Sequence, residues 1–523
     1  MVDRRTLLAA GAATLAAPAA GQSRARVLRY VPSSNLTILD PVFTPAAVTI
    51  THGYCVFDTL YGVNAALQPV PQMAAGHSVS DDQRVWEITL REGLRFHDGE
   101  PVRAQDCAAS LERWSRRDSF GQALGGFTDS FGHKDDRTIV IRLKRPFARL
   151  LDAIGKPHSS PAMIMPERLA RTNPNAQVTE MIGSGPFRFV RGEYVSGARV
   201  VYERFAGYQP RPEAPAWTSG GKVVNFDRVE WQIIPDAATA AAAIQAGEVD
   251  WVAAVLPELA ARVAANRRVT LFRNDIYGVL SMLRFNHLIP PFDNLALRQA
   301  LLRVIDQRPF NQAVTARPED SEICRAMFPC GMPGVQELGR DTVGTLDIAA
   351  GRRAIAEAGY RGERIVLLNP TDIASISAHT VLIDDLLRRL GMNVDMQNLD
   401  WGTVVQRRIS RAPVERGGWN LACTNWPAIS IDNPATNATT RGQGDSGWWG
   451  WFNDSRTEEL VDNWLTATTP EAAHTAFIAA QQRALEMVPI IPLGKSFQDG
   501  ALRSDITGVL QASVNLFWNL RRQ

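Results

Sequence analysis

No charge of one sign dominates this chain: 56 lysines and arginines stand against 54 aspartates and glutamates, a net charge of +2 over 523 residues. That balance leaves no basic face of the kind nucleic-acid binders need. No GxxxxGK[ST] loop occurs, which excludes nucleotide hydrolysis by a P-loop. No HExxH occurs either, and the histidines (His52, His77, His97, His133, His158, His287, His379 and His474) form no i, i+4 pair. Scattered histidines argue against a dedicated zinc site. Cysteine is sparse, with Cys55, Cys107, Cys324, Cys330 and Cys423 showing neither a CxxC nor paired zinc spacing. Cys324 and Cys330 lie six apart in a Pro/Gly-containing stretch, which leaves open a small loop disulfide or two free thiols. The other three read as small buried apolar side chains. No catalytic residue, metal site or cofactor is expected.

What is present begins at the N-terminus. Arg4-Arg5 precede an alanine-rich run from Leu7 to Ala20, with small residues at Ala17-Pro18-Ala19. This is the layout of an export signal with a twin-arginine flavour, and residues 1–20 are assigned to it. The run is too short and alanine-rich to span a bilayer well, and no later stretch reaches spanning length. The mature protein is therefore expected outside the cytoplasmic membrane, in the periplasm.

The remaining chain alternates strand-like and helix-like segments. Trp86, Ile88 and Leu90 alternate with Glu87, Thr89 and Arg91, the mark of a half-buried strand. Cys107, Leu111 and Trp114 then follow helical spacing. Ile139, Ile141 and Leu143 form a second strand, and Val229, Trp231 and Ile233 a third. Asp236 is placed to cap the alanine-rich helix that ends at Gly247. Val249 to Val252 reads as a strand, and so does Leu280 to Asn286. A helix capped by Asp293 or Asn294 runs to a stop at Pro309. Strand 364–368, a helix ending at Gly391 and strand 393–397 form a βαβ unit, which implies a parallel sheet covered by helices. A helix over 470–487 leads into the apolar Ile490-Ile491-Pro492-Leu493. The whole reads as two α/β lobes. The chain is expected to leave the first near Ser281 and return near Ser496, with hinges over Ser281–Phe285 and Leu493–Phe497.

Aromatic supply is concentrated in the second half: Trp401, Trp419, Trp426, Trp448, Trp449 and Trp451. Loops carrying aromatics often line ligand sites, and two or three of these rings are expected to touch a ligand, with Trp401, Trp448 and Trp449 as candidates. The competing reading is that the rings fill the core of the lobe or cover a seam between lobes. If 448–449 is a strand, the two rings there point apart.

Five segments, in order, carry a resemblance. They are the stretch from Trp86 through Leu90-Arg91-Glu92-Gly93, Phe96-His97-Asp98-Gly99-Glu100-Pro101 and Asp106; Gly183-Ser184-Gly185-Pro186-Phe187; Ile234-Pro235-Asp236 with Gln245 to Asp250; Phe285-Asn286 with Pro290 to Asp293; and Glu357-Ala358-Gly359-Tyr360. Together they resemble the periplasmic peptide- and nickel-binding proteins of ABC importers, solute-binding family 5. The resemblance covers roughly residues 27 to 500. It implies a bilobal periplasmic-binding-protein fold: lobe I over 21–282 with an inserted subdomain at about 71–180, lobe II over 283–496, and a return to lobe I over 497–523. It also implies a monomer that captures a small solute by hinge closure and delivers it to an ABC permease and its ATPases. The motifs have plain structural readings as well. His97-Asp98-Gly99 is a turn, and Gly183-Ser184-Gly185-Pro186 is a backbone crossing that lacks the GxSxG spacing of a hydrolase elbow.

The segment Trp419 to Pro434 resembles the family's strand that delivers a tryptophan and then an aspartate three residues on, which pairs with a peptide ammonium. Here that position is Ile429, and Asp432 lies six after Trp426. Asp432 takes the role if the loop is longer. This departure opens the ligand to a sugar, an opine, an amide or a modified amino acid beside a peptide. The resulting ligand-binding candidates are Ser184, Tyr277, Trp401, Asn425, Trp426, Asp432, Trp448 and Trp449. The rival functions are an exported hydrolase on a similar bilobal fold, and a sensor or chaperone that works without a transporter.

Overall fold

The computed structural model describes residues 26–523; the expected export signal lies outside them. Strand Val27–Val31 lies in the interior of a seven-stranded sheet, parallel to both Arg228–Gln232 and Trp251–Val252. Central parallel strands are covered on both faces, and this one is. Tyr30 meets Trp231, Trp251 and Phe517 edge-on at 5.0–5.3 Å, while Val31 packs with Ala240 and Ile244 of the helix Ala237–Ala246. Asp236 caps that helix by accepting from the Thr239 amide. The strands Phe187–Phe189 and Arg199–Arg204 extend one edge. At the other, Gly500–Arg503 enters between Trp251–Val252 and Val269–Phe272, so the C-terminal segment belongs to this sheet.

An antiparallel four-stranded sheet is inserted between these strands, in the order Ala74–Val79, Val85–Leu90, Thr138–Leu143, Thr128–His133. Trp86, Ile88 and Leu90 are buried on one of its faces. The helix Ala104–Ser115 buries Cys107, Leu111 and Trp114. Its Arg113 forms a wholly buried ion pair with Asp40, at 2.7 Å. The turn at His97 is also built as read: Gly99 has φ +93 and donates back to the Phe96 carbonyl at 3.0 Å. His97 in turn holds the 183–186 segment through the Gly183 and Gly185 carbonyls. A Cβ on Gly183 would stand 2.1 Å from the Val56 carbonyl, and one on Gly185 2.7 Å from that of Cys55. Two glycines are needed because the backbones touch at the end of the helix Ala47–Val56.

The second sheet has six strands, ordered Ser321–Glu322, Ile490–Ser496, Val279–Phe285, Leu421–Pro427, Arg364–Pro370, Asn393–Leu399. The βαβ unit forms with the helix Ala374–Arg389, and its strands pair in parallel. The helix buries Ile376, Ile383 and Leu387. The long helix Pro470–Met487 also forms, capped by Thr469.

Three expectations are revised, and one open alternative is decided. The helix Leu295–Val304 ends before Pro309, which instead occupies the first turn of a separate helix, Gln307–Val314, capped by Asp306. Proline is tolerated there because first-turn amides have no helical acceptor. The strand expected from Val249 is confined to Trp251–Val252. The proposed hinges at Ser281–Phe285 and Leu493–Phe497 fall largely inside paired strands of the second sheet; the chain crosses between sheets over 273–278 and 497–499. Of the two alternatives for Cys324 and Cys330, the disulfide is the one formed. Cys55, Cys107 and Cys423 are free and buried.

Candidate ligand cavity between the lobes

The two sheets face each other across a cavity of about 330 Å³, at the small end of the roughly 300–1,000 Å³ usual for ligand sites. A groove of about 530 Å³ between the helices Leu295–Val304 and Ile348–Glu357 is larger, but it is open and lies within one lobe. The interlobe cavity takes Val63, Leu67 and Pro69 from the first lobe and Phe120, Asp152, Lys156 and His158 from the inserted region. The second lobe supplies Ile429, Ser430, Asp432, Asn433 and Thr436 from the loop after strand Leu421–Pro427. Trp464, His474 and Phe477 come from two helices, Ser455–Thr466 and Pro470–Met487. Ligand sites of α/β sheets form beyond the carboxyl ends of strands, and the 429–436 loop occupies that position.

Contacts across the seam close the cavity. His158 Nδ1 and Ser430 Oγ are 2.8 Å apart. Arg145 grips Asp462 with both terminal nitrogens, one at 2.8 Å. The Ala148 amide donates to the Leu465 carbonyl at 2.9 Å, and Arg149 to that of Ala467 at 3.1 Å. Tyr277, in the first crossing, reaches the Ala65 carbonyl of the first lobe at 3.4 Å.

Electrostatically the wall is uneven. Lys156 is bound to the Asp118 carboxylate and the Ser159 carbonyl. Asp118 also caps the helix Ser119–Phe127, and burial raises its pKa. Asp152 lies 3.7 Å from Arg149 and keeps 38% of its side chain exposed, yet it sits in a recess deep enough for desolvation to raise its pKa. Asp432 is half-buried, and burial pushes its pKa up to about 6. Its Oδ1 accepts only from neutral donors, Asn433 Nδ2 at 2.7 Å and Thr436 Oγ1 at 3.1 Å. Burial lowers His158 to about 4, so its ring is neutral near pH 7.

Of the sequence-derived candidates, Asp432 lines this cavity. Tyr277 stands close by, its hydroxyl feeling the Asp432 charge. Ser184 is buried in the first lobe, with Oγ 3.8 Å from Met73 Sδ. Asn425 donates to Ser375 Oγ at 3.2 Å. Trp401, Trp419, Trp448, Trp449 and Trp451 lie elsewhere, in a cluster on the second sheet with Val366 and Leu368, and Trp426 packs against the main core. Residues 448–449 are not a strand, and the Trp448 and Trp449 rings touch at 4.4 Å. Trp426 meets Trp448 at 5.6 Å, and Trp401 takes Arg408 over its face at 5.1 Å. None of the six tryptophans from Trp401 to Trp451 is among the cavity-lining residues. The lining residues that sequence reasoning missed are Asp152, Lys156, His158, Trp464 and Phe477. Asp152, Lys156 and His158 share one segment and Trp464 and Phe477 two packed helices, and only the interlobe seam brings the two groups to one cavity. Among the described residues no group of side chains is placed to hold a metal ion, and no helix is long and apolar enough to cross a membrane.

Comparison with known proteins places this geometry in context. Residues 68–448 match the profile described as bacterial extracellular solute-binding proteins, family 5 Middle. A Sinorhizobium fredii protein, named as a probable peptide ABC transporter periplasmic-binding protein, is 35% identical over 492 residues, 93% of this chain and 92% of its own. Two solved structures share the fold. A periplasmic binding protein from A. tumefacien R10, in complex with agropinic acid, superposes with a TM-score of 0.75 at 22% identity, covering 95% of this chain and 99% of that one. An ABC transporter-associated periplasmic binding protein from Helicobacter pylori, in complex with the peptide STSA, gives 0.76 at 17% identity, covering 95% and 98%.

Proposed function

This chain belongs to the bacterial extracellular solute-binding proteins of family 5, and from that premise we propose that it captures a small solute between its lobes, outside the cytoplasmic membrane, and hands it unchanged to an ABC permease. The observation that carries the reading is the cavity itself: it is walled by both lobes and sealed by bonds that exist only when the lobes meet. A ligand touching both walls binds the closed form preferentially, and that difference in affinity moves the population. A shift from 1:99 to 99:1 requires about 5.5 kcal/mol of differential binding.

In this reading the moving bodies are the seven-stranded sheet with its inserted region and the six-stranded sheet with its helices. The crossings 273–278 and 497–499 are the hinge. Asp432 and Tyr277 are the binding residues retained from the sequence, joined by Asp152, His158, Ser430 and Asn433. Ser184 and the tryptophans act as framework. The similar proteins whose names mention a peptide transporter and whose structures hold a peptide or agropinic acid support a peptide-like or opine-like size class for the solute. The protein acts as a monomer with its permease and ATPase as partners. The test is small-angle scattering on the mature protein with a pooled peptide and amine library, paired with melting curves. A bound solute raises the melting temperature and contracts the particle. A ligand that stabilises the protein without contracting it refutes the clamp, and conversion of that ligand to product refutes unchanged delivery.

A further inference from the structure

The two crossings between the sheets are tied to the second lobe by charge. Arg273 opens the first crossing, just after strand Val269–Phe272, and Asp499 closes the second. Arg317 and Asp320 belong to the short turn of helix Pro318–Asp320, which leads into the edge strand Ser321–Glu322 of the second sheet. The four side chains form a closed ring of alternating sign. Arg273 meets Asp320 at 2.5 Å, Asp320 meets Arg317 at 2.7 Å, Arg317 meets Asp499 at 2.5 Å, and Asp499 meets Arg273 at 3.5 Å. Only the Arg317–Asp320 side is local; the others join different segments. Backbone bonds hold the ring in place. The Phe497 amide donates to the Asp320 carbonyl, and the Val255 amide of the first lobe donates to that of Asp499, each at 2.8 Å. Arg273 also lies over the Phe497 ring at 4.5 Å. The two carboxylate side chains are only 11% and 12% exposed, so salt screens them little. The longest side of the ring joins the two crossings directly. Its atoms, Arg273 Nε and Asp499 Oδ1, have no hydrogen bond among the described residues. That side has slack, and a small turn can lengthen or shorten it while the three short sides hold.

Resting on the clamp reading above, we propose that this ring is the pivot of the lobe motion: it stays formed whether the lobes are apart or together, and it confines their movement to one rotation. Groups beside an axis of rotation move least, and the ring sits on the crossings themselves. The seam contacts His158–Ser430 and Arg145–Asp462 behave oppositely, because they exist only when the lobes meet. A latch sets how often the clamp is shut; a pivot sets where the lobes go when it opens. Arg317 is the positioning residue at the centre of this device. Of the two arginines it alone hydrogen-bonds both carboxylates. Without it, two nearly buried carboxylates share one cation, and an uncompensated buried charge is strongly unfavourable. The second crossing then loses its side-chain tie to the second lobe.

The test needs no ligand. Spin labels attached after Val195→Cys in the first lobe and Val381→Cys in the second, both at exposed positions, report the interlobe distance by double electron–electron resonance. Cys55, Cys107 and Cys423 are buried and Cys324 is bonded to Cys330, so labelling is confined to the two introduced thiols. The ligand-free protein with its ring intact is expected to show one or two narrow distances. Arg317→Met replaces them with a broad distribution. Arg317→Lys recovers part of the narrowness, because an ammonium lacks the planar fork that serves two carboxylates at once. Combining Arg317→Met with Asp499→Asn broadens the distribution no further, as expected of groups in one network. Arg145→Ala, which breaks a seam pair, changes only the proportions of the distances. Distances as narrow in Arg317→Met as in the intact ring overturn the inference. So do unchanged distances whose proportions alone shift, since that is the behaviour of a latch. Either result leaves the cavity as a solute site. If the peptide and amine pool moves no distance in the intact protein, the clamp reading falls, while the ligand-free widths still decide whether the ring holds the lobes. Melting curves identify a variant that fails to fold, and the nearly isosteric Asp499→Asn alone then carries the same comparison.

Discussion

In the proposed site, Asp432 would make capture of a cationic solute sensitive to pH in a direction that can be worked out. Burial lifts its pKa from 3.8 to about 6, and a cation pairs only with the ionised form. Essentially every Asp432 is ionised at pH 7.5 and about one in eleven at pH 5. Apparent affinity scales with the competent fraction, so the dissociation constant for a cationic probe rises about tenfold between those values. The affinity is present above the folded pKa and lost as pH falls through it. In the free protein the sign reverses. The folded carboxyl holds its proton up to about pH 6 while the unfolded one releases it near 3.8, so the native state binds the extra proton between them. The stability this group contributes is therefore complete at low pH and declines as pH rises through that window.

The groups facing Asp432 are Lys156, Asp152, His158, His474 and Tyr277. His158 is already neutral throughout the range, lowered to about 4. Titration calorimetry with a C-terminally amidated dipeptide at pH 5, 6 and 7.5 gives the profile, and His474→Gln serves as a control for the rim histidine. The slope should survive in His474→Gln and vanish in Asp432→Asn. A flat profile in the wild type, or the same slope in Asp432→Asn, refutes the assignment.

Three further outcomes follow from other parts of the fold. Replacing Cys324 and Cys330 by serine removes a short cross-link and should lower stability by about 2 kcal/mol in urea unfolding; an unchanged midpoint refutes a stabilising role. Gly278→Ala should cost about 1–3 kcal/mol, because φ is +69 and the new Cβ would stand 2.5 Å from the Ser496 carbonyl; a melting curve identical to wild type contradicts this. Arg145→Ala breaks an exposed pair across the seam, with side chains 50% and 42% exposed. Such pairs are worth at most about 1 kcal/mol, so stopped-flow release should quicken by no more than about fivefold, and a larger change means the pair does more than latch.

The elements legible in the sequence were those whose pattern is local. The helix Ala104–Ser115, the strand Val85–Leu90 and the βαβ unit each bury one periodic face, and each formed where periodicity put it. The crossings were displaced for a physical reason. Val279–Phe285 is buried almost throughout, and an apolar run of that length reads the same whether it ends one sheet or centres the next. Only its pairing with Leu421–Pro427 and Ile490–Ser496 decides. Through the resemblance of the segment Trp419 to Pro434 to a family segment, only Asp432 was named from the sequence among the residues lining the cavity. Lys156, His158, Trp464 and Phe477 belong to it because two bodies meet there, and no single segment carries that information.

The tryptophans show why aromatic density is a poor guide to a site. Their flat faces are already covered: Arg408 lies 5.1 Å from the Trp401 ring and 5.0 Å from that of Trp449, and Arg284 stands 5.0 Å over Trp448. Arg284 is buried and donates to the Trp449, Thr439 and Pro489 carbonyls. It thereby ties the tryptophan loop to the central strand of the second sheet. Rings so occupied stiffen the lobe, and in the proposed site recognition falls to the polar loop 429–436. That loop begins next to Ala428, whose amide donates to the carbonyl of Gly278, in the first crossing, at 2.8 Å. The carboxylate proposed to meet the solute is thus four residues from a backbone bond to the first crossing. In the proposed clamp, a ligand that pulls on Asp432 would pull on the crossing about which the lobes turn, coupling capture to closure without a relay through the core.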